Sequence, residues 1–346
     1  MRECLASTAV QKAAKEAHLS LTPSRGLSYE SHYWRVVRDD VIASVKWQIG
    51  ITLVTQLGVG TLGNFSLLCL YNFTLLTGHK VRPTDVILNQ LVLANSLVLF
   101  SRGIPHITAA FGATYFLNEA GCKFFFYFHR AARGVCLSTT SFLSGFQAVR
   151  LRLNVSSSME LRRRSSKCIY LCCCLCWILH LLVSIFVPIK VAGPTHSKNL
   201  SVKINYGYCS PLNPDRFLKF IVTALFSTID LACLAFMVWA SGSMVIFLHR
   251  HRQHVQYIHS NSHSPRPSPE ARAMYTILIL VSCFLSFYSL SSLLSVWMIL
   301  FVIPGQWLVD ASVFLSLCFS TFSPFLLIFS DTRVTGKLQN PFCFIG

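Results

Sequence analysis

The stretch WQIGITLVTQLGVGTLGNFSLLCL, residues 47–70, contains no Lys, Arg, Asp or Glu. A helix gains about 1.5 Å per residue, so this stretch would be about 36 Å long and could cross the roughly 30 Å hydrocarbon core of a bilayer. The residues before it are mixed and polar and contain no signal-peptide hydrophobic segment. We therefore expect residues 47–70 to be an uncleaved membrane anchor that follows a polar tail, residues 1–46.

Six further apolar runs follow this anchor, each bounded by charged residues, Gly or Pro. None shows the alternation of apolar and polar residues that is typical of a membrane β-strand. We place them at Val86–Pro105, Lys123–Phe146, Cys168–Ile189, Phe220–Leu248, Ala273–Ile303 and Leu308–Phe329. The sequence therefore predicts an all-α membrane protein, a seven-helix bundle over residues 47–330 with a short tail, residues 331–346.

The composition of the chain agrees with several membrane spans. Of its 346 residues, 53% are hydrophobic and only 12% are charged, whereas about 25% charged residues is typical of soluble domains. So few charges cannot cover a soluble protein of this length, which excludes a soluble enzyme and a disordered chain. The net charge of +17 lies in short clusters between apolar runs, so we expect it to face anionic membrane lipid and not nucleic acid.

The basic clusters predict the orientation of the bundle. Arg162-Arg163-Arg164 and His249-Arg250-His251-Arg252 each adjoin the end of an apolar run. Because Lys and Arg are enriched in cytoplasmic loops, we expect an extracellular N-terminus and a cytoplasmic C-terminus. This orientation assigns Arg102 to the outer segments. It also places the sequon at Asn199 in the largest outer loop, where we expect glycosylation, the alternative being an unused sequon.

Three ionisable side chains lie within the third run, at His129, Arg130 and Arg133. Spacings of three and four residues place them on one face of a helix, and lipid cannot solvate them. One interpretation is the floor of a ligand cavity that opens to the outside. The other is structural, with the guanidinium groups binding backbone carbonyls or a carboxylate. Asp230, in the fifth run, is the candidate partner.

The uncharged polar residues and cysteines of the runs have simpler interpretations. We expect Asn64, Asn89, Asn95 and Gln147 to form hydrogen bonds between helices. Most of the 14 cysteines lie inside apolar runs, where cysteine packs as a small hydrophobic residue. Cys122, at the outer start of the third helix, and Cys209, in the second outer loop, are candidates for one disulfide that ties the loop across the mouth of the bundle.

Four strings, in this order and spacing, resemble the vomeronasal type-1 receptors. They are CKFFFYFHRAARGVCLSTT (residues 122–140), WASGSMVIFLHRHR (residues 239–252), SPEARA (residues 268–273) and Ser323-Pro324-Phe325. The resemblance extends from about Trp47 to Asp331. It implies a G-protein-coupled receptor of the plasma membrane that responds to small volatile or steroid-like chemosignals. It also implies coupling to heterotrimeric G proteins of the inhibitory class in sensory neurons.

The resemblance also implies roles for particular residues. It supports the Cys122–Cys209 disulfide and glycosylation of Asn199, and it matches His129, Arg130 and Arg133 to the family's His-Arg-x-x-Arg positions. The sequence differs from the larger rhodopsin-like class. Phe146-Gln147-Ala148 stands about where Asp/Glu-Arg-Tyr is usual, and residues 93–97 lack the usual sodium-site Asp. The ionic lock and sodium coupling of that class are therefore not expected.

We expect the receptor to work by population shift. A ligand that contacts His129, Arg130, Arg133 and Asp230 would favour one of two helix packings. The inner ends of the helices would then open toward the G protein, at Gln147, Arg150, Arg250 and Arg252. The sequence shows no nucleophile–base pair, P-loop or metalloprotease helix, so we expect no enzyme activity, cofactor or metal. The alternatives are an anion transporter or channel that uses the two arginines, and a receptor relic that no longer signals.

Overall fold

The computed structural model describes residues 26–77, 82–112, 117–153, 159–188, 191–192, 210–211, 216–258, 269–300 and 306–330. These residues form seven helices and one pair of two-residue strands. The helices are α1 (Gly26–Leu76), α2 (Pro83–Ala110), α3 (Glu119–Leu153), α4 (Met159–Ser184), α5 (Arg216–Ile258), α6 (Pro269–Leu300) and α7 (Gln306–Ser330), and the strands are β1 (Val191–Ala192) and β2 (Ser210–Pro211). The strands are antiparallel, with Val191 opposite Pro211 and Ala192 opposite Ser210.

The helical class and the order of the seven helices agree with the prediction from the apolar runs. Six helices are long and apolar enough to cross a membrane, with spans at Ala43–Leu76, Pro83–Ala110, Lys167–Ser184, Ala224–Arg250, Tyr275–Leu294 and Trp307–Phe329. Helix α3 is not among them, because Lys123, Arg130 and Arg133 in its first half and the run Ser138-Thr139-Thr140-Ser141 in its second half make its sequence less apolar. Composition alone therefore supports six of the seven predicted spans.

Helix α3 packs against α2, α4, α5 and α6. Ala131, Ala132 and Val135 on α3 are buried, so its polar residues have protein neighbours where a lipid-facing helix would have acyl chains. Packing against protein is the physical reason that a helix with Arg130 and Arg133 in its middle can lie among apolar ones.

The helices extend beyond the predicted apolar runs. Helix α1 begins at Gly26, α3 continues to Leu153 and α5 continues to Ile258, so Arg150, Arg250 and Arg252 lie on helices and not in loops. A helix satisfies its own backbone hydrogen bonds in water as well as in lipid, so polar residues can prolong it past the edge of the apolar run.

The chain divides into two units, Met1–Ile49 and Gly50–Gly346. In the first unit, the described residues are helical from Gly26. The assignment of residues 1–46 as an extracellular tail stays a prediction. All the contacts discussed below lie within the second unit.

A neutral polar network joins α1, α2, α3 and α7. The Nδ2 of Asn64 donates to the carbonyl oxygen of Ser320 at 2.8 Å, and the Nδ2 of Asn95 donates to the Oγ of Ser323 at 2.9 Å. The Oδ1 of Asn95 accepts from Ser320 at 3.2 Å and from Cys136 at 3.3 Å. The predicted hydrogen bonds between helices are thus confirmed for Asn64 and Asn95.

The prediction is also confirmed for Asn89, whose Nδ2 on α2 donates to the Oδ1 of Asn72 on α1 at 3.2 Å. Helix α1 approaches its neighbours closely through two glycines. A Cβ at Gly60 would lie 2.9 Å from the side chain of Leu99, and one at Gly63 would lie 3.1 Å from the side chain of Pro324. A larger residue at either position would push α1 away from the network.

Candidate functional site

An ion pair between α3 and α5 is the centre of the candidate site. The Nη2 of Arg130 donates to both carboxylate oxygens of Asp230, at 3.2 Å each. The side chains of Arg130 and Asp230 are only 19% and 15% exposed. The hydroxyl of Tyr288, on α6, donates to the Oδ2 of Asp230 at 2.6 Å. One carboxylate therefore links three helices.

Two aromatic rings contact the arginines of α3. The guanidinium carbon of Arg130 lies 4.1 Å from the ring centroid of Phe226, and that of Arg133 lies 4.6 Å from the ring centroid of Tyr288. Such contacts stabilise a cation by about 0.5–2 kcal/mol. Among the described residues no carboxylate lies within 4.0 Å of Arg133, so its positive charge is not neutralised by an ion pair there.

A cavity opens beside Arg133, between α2, α3, α6 and α7. Its volume is about 40 Å³, and its walls are mainly apolar with a few polar groups, as is common for small-molecule sites. The lining residues are Val98, His129, Arg133, Cys136, Phe284, Phe287, Tyr288, Ser291, Leu315, Ser316, Phe319 and Ser320. Binding sites for drug-sized molecules usually have about 300–1,000 Å³, so a ligand would have to move side chains to enter.

Aromatic side chains form part of the cavity wall. Phe284 and Phe319 meet edge to face with their ring centroids 4.6 Å apart, and Phe284 stacks on Tyr288 at 5.7 Å. Tyr288 therefore belongs both to the cavity wall and to the hydrogen bonds of Asp230. A change in the cavity that moves this ring also changes the link between α3 and α5.

The three predicted residues of α3 make different contacts. His129 and Arg133, four residues apart, both line the cavity, whereas Arg130 points toward α5 and Asp230. Adjacent helical positions are rotated by about 100°, which explains why Arg130 does not share the surroundings of His129. The structure brings Asp230 to Arg130, as predicted for an arginine of this helix. The three residues do not share one set of surroundings, in contrast to the expectation that one helix face presents them all.

One of the two cysteines of the predicted disulfide lies in the described part of the chain, and its pairing with Cys209 stays a prediction. Cys122 is disulfide-bonded and fully buried, and Leu117, Ala109, Phe125 and Phe126 pack around it. Cys209 and Asn199 lie outside the described residues. Strand β2 begins at Ser210, directly after Cys209, and pairs with β1, which packs against α3.

The residues predicted to face a G protein lie on two helices that pack against each other. Gln147 on α3 is buried and Arg150 is exposed, while Arg250 on α5 is exposed. Arg252 also lies on α5, but its side chain is outside the described part. Their role stays a prediction.

Comparison with known proteins decides the family. A family model described as the vomeronasal organ pheromone receptor family matches residues 47–340. The chain belongs to the vomeronasal type-1 receptor family. The resemblance seen in the sequence is thus confirmed, and the receptor is a chemosensory G-protein-coupled receptor by family. Membership in a receptor family also favours a receptor over an enzyme.

Relatives of the receptor cover most of its length. It is 52% identical over 305 residues to vomeronasal type-1 receptor 1 of Homo sapiens, a match that covers 88% of this chain and 85% of the relative. It is 42% identical over 292 residues to vomeronasal type-1 receptor 4 of Homo sapiens, covering 84% and 95%. It is also 27% identical over 300 residues to olfactory receptor class A-like protein 1 of Danio rerio, covering 86% and 93%.

Two residues of the site were not found from the sequence. Tyr288 lies in an otherwise apolar run, and no local pattern shows that its hydroxyl meets Asp230. Arg102 was assigned to the outer segments, but it lies inside α2 and lines a cavity with His129. The sequence did contain a signal for Arg102. It falls within the predicted span Val86–Pro105, so it could have been singled out, like Arg130, as an ionisable residue inside the membrane.

Proposed function

We propose that the chain is a cell-surface receptor in which a small chemosignal binds beside His129 and Arg133 and thereby activates a heterotrimeric G protein of the inhibitory class. The observation that carries this proposal is the double position of Tyr288. Its ring lines the cavity and lies against Arg133, while its hydroxyl binds Asp230. The cavity and the link between helices therefore share one side chain.

The signal travels as a change in helix packing. A ligand that displaces the Tyr288 ring weakens the hydrogen bond to Asp230 and frees α6 to shift relative to α3 and α5. Such a ligand shifts the population only if it binds one packing more tightly than the other. The inner ends at Gln147, Arg150, Arg250 and Arg252 then form the surface that meets the G protein.

The orientation required is an extracellular N-terminus with multiple spans of the plasma membrane. In this orientation the Cys122–Cys209 disulfide and the glycan at Asn199 lie outside, and the basic clusters lie near anionic cytoplasmic lipid. A glycosidase shift that is present in the wild-type chain and lost in Asn199→Gln is the expected result.

The direct test is a dose–response measurement of G-protein activation against a panel of volatile and steroid-like compounds. For an active compound, we expect Arg133→Gln to lose at least about tenfold in potency, because about 1.4 kcal/mol of lost interaction corresponds to a tenfold change. The matched control is Lys123→Gln on the same helix, whose ammonium pairs with Glu119 at the surface, 2.6 Å away. Surface expression is measured for each variant.

A wild-type dose–response curve in Arg133→Gln at normal surface expression would contradict the proposal. Anion flux without G-protein activation in the same cells would favour the second candidate, an anion transporter or channel. The supporting observation for that candidate is the charge of Arg133, which has no ion pair among the described residues. A well-expressed chain that gives neither response would be a receptor relic.

A further inference from the structure

A second cavity, of about 10 Å³, lies beside the first, between α2 and α3. It is lined by Ser101, Arg102, Pro105, Phe125, Phe126 and His129. His129 also lines the first cavity, so the two cavities adjoin the same imidazole.

The spacing of the lining residues places the two cavities along the same faces of α2 and α3, and we call these faces, with both cavities, the groove. On α2, Val98 lines the first cavity, and Arg102 and Pro105 line the second. On α3, Phe125 lines the second cavity and Arg133 the first. Steps of three or four residues keep a helix face constant, so each helix presents one stripe to both cavities.

Two buried polar atoms at this place have no hydrogen-bond partner among the described residues. They are the Nε of Arg102 and the Nδ1 of His129. A buried donor without a partner is costly, and such groups in a native protein call for an explanation. The ion pairs of the arginines also indicate a missing anionic partner. Asp230 neutralises Arg130, whereas the structure gives no ion pair for Arg102 or Arg133 in the part of the chain that it describes.

We propose that Arg102 is a second ligand anchor and that the groove takes an elongated organic anion. Its carboxylate accepts hydrogen bonds from Arg102 and from His129 in the tautomer that carries its proton on Nδ1, and its apolar body passes His129 into the cavity lined by Phe284 and Phe319. The excess of guanidinium groups over carboxylates selects an anion over a neutral or cationic molecule of the same shape. This inference rests on the proposed function, because it names the ligand class of the same site.

The test compares three probes with one apolar body, namely 4-phenylbutyrate, its methyl ester and 4-phenylbutylamine. The melting temperature of the purified full-length receptor in lipid nanodiscs reports binding without a G protein. We expect the carboxylate to raise the melting temperature at least twice as much as the ester or the amine. The difference should vanish in Arg102→Gln and persist in Arg102→Lys, which keeps the charge, and in the surface control Lys123→Gln.

A structural role of Arg102 gives a different result. If Arg102 only supports packing, Arg102→Gln melts at a clearly lower temperature without any probe, and that result would overturn the proposal. Equal shifts by acid and ester, no shift by the acid, or an acid preference that persists in Arg102→Gln would overturn it too.

G-protein activation, measured separately, distinguishes this inference from the proposed function. Stabilisation by the carboxylate without activation by any compound upholds the anion groove and contradicts the receptor mechanism. Activation by neutral compounds only, with potencies that Arg102→Gln leaves unchanged, upholds the receptor mechanism and contradicts the anion groove.

Discussion

The neutral network around Asn95 and the charged cluster around Asp230 both place polar side chains between helices, but they satisfy them with different partners. Asn95 uses both amide atoms, with Ser320, Ser323 and Cys136 as partners. The charged cluster pairs Asp230 with Arg130. Among the described residues each region also holds a buried atom without a partner, the Nδ1 of His129 beside the cluster and the Oδ1 of Asn64 in the network. We infer that the neutral network holds α1, α2, α3 and α7 together, while the charged cluster, whose Tyr288 ring also lines the cavity, is adjustable.

The largest effect should come from breaking the ion pair. Asp230→Ala leaves the mostly buried Arg130 without its carboxylate, and we expect a loss of about 3 kcal/mol, the lower end of values for buried pairs. Measurements of melting temperature and surface expression check this loss. The charge swap Arg130→Asp with Asp230→Arg should recover part of it, whereas the matched swap Arg133→Asp with Asp230→Arg should not.

Equal recovery by the two swaps would remove the distinction between Arg130 and Arg133 on which the site depends. Wild-type stability of Asp230→Ala would show that the carboxylate does not link the helices at all.

The neutral network gives the second largest effect. Asn95→Leu removes three hydrogen bonds and leaves buried hydroxyls without partners, which costs about 1–3 kcal/mol. We expect a lower melting temperature, and a smaller change in ligand potency than Arg133→Gln causes, because Asn95 acts on the cavity only through its partners Cys136 and Ser320. Ser96→Ala, at the next position on α2, is the control, because the Ser96 hydroxyl donates to the Val92 carbonyl of its own helix, 2.9 Å away. A large change in potency without a change in stability would contradict the contrast between the two regions.

The smallest effect on stability is expected for Tyr288→Phe. This change removes the hydroxyl that binds Asp230 but keeps the ring against Arg133, and we expect a loss of about 1 kcal/mol. Because the hydroxyl links α6 to the carboxylate, basal G-protein activity without ligand should rise by up to about tenfold. Tyr275→Phe, an exposed position on the same helix, is the control. A fall in basal activity would show that the hydrogen bond supports the active packing.

The sequence predicted the helices better than it predicted the contacts between them. Long apolar runs bounded by charge report directly on spans, so the order of the helices and the pairing of Asp230 with an arginine of α3 could be foreseen. The ends of α1 and α5 could not, since helical hydrogen bonds continue past the apolar run. Tyr288 and Arg102 were missed because their roles depend on side chains from other helices.

The central claim is that α3 crosses the membrane as one of seven spans, although its composition alone does not indicate a span. Tags at the two termini of the receptor, probed with antibodies on intact and on permeabilised cells, test this most directly. We predict that the N-terminal tag is accessible on intact cells and the C-terminal tag only after permeabilisation, because seven spans leave the termini on opposite sides. Both tags accessible under the same condition would mean an even number of spans and would contradict the account.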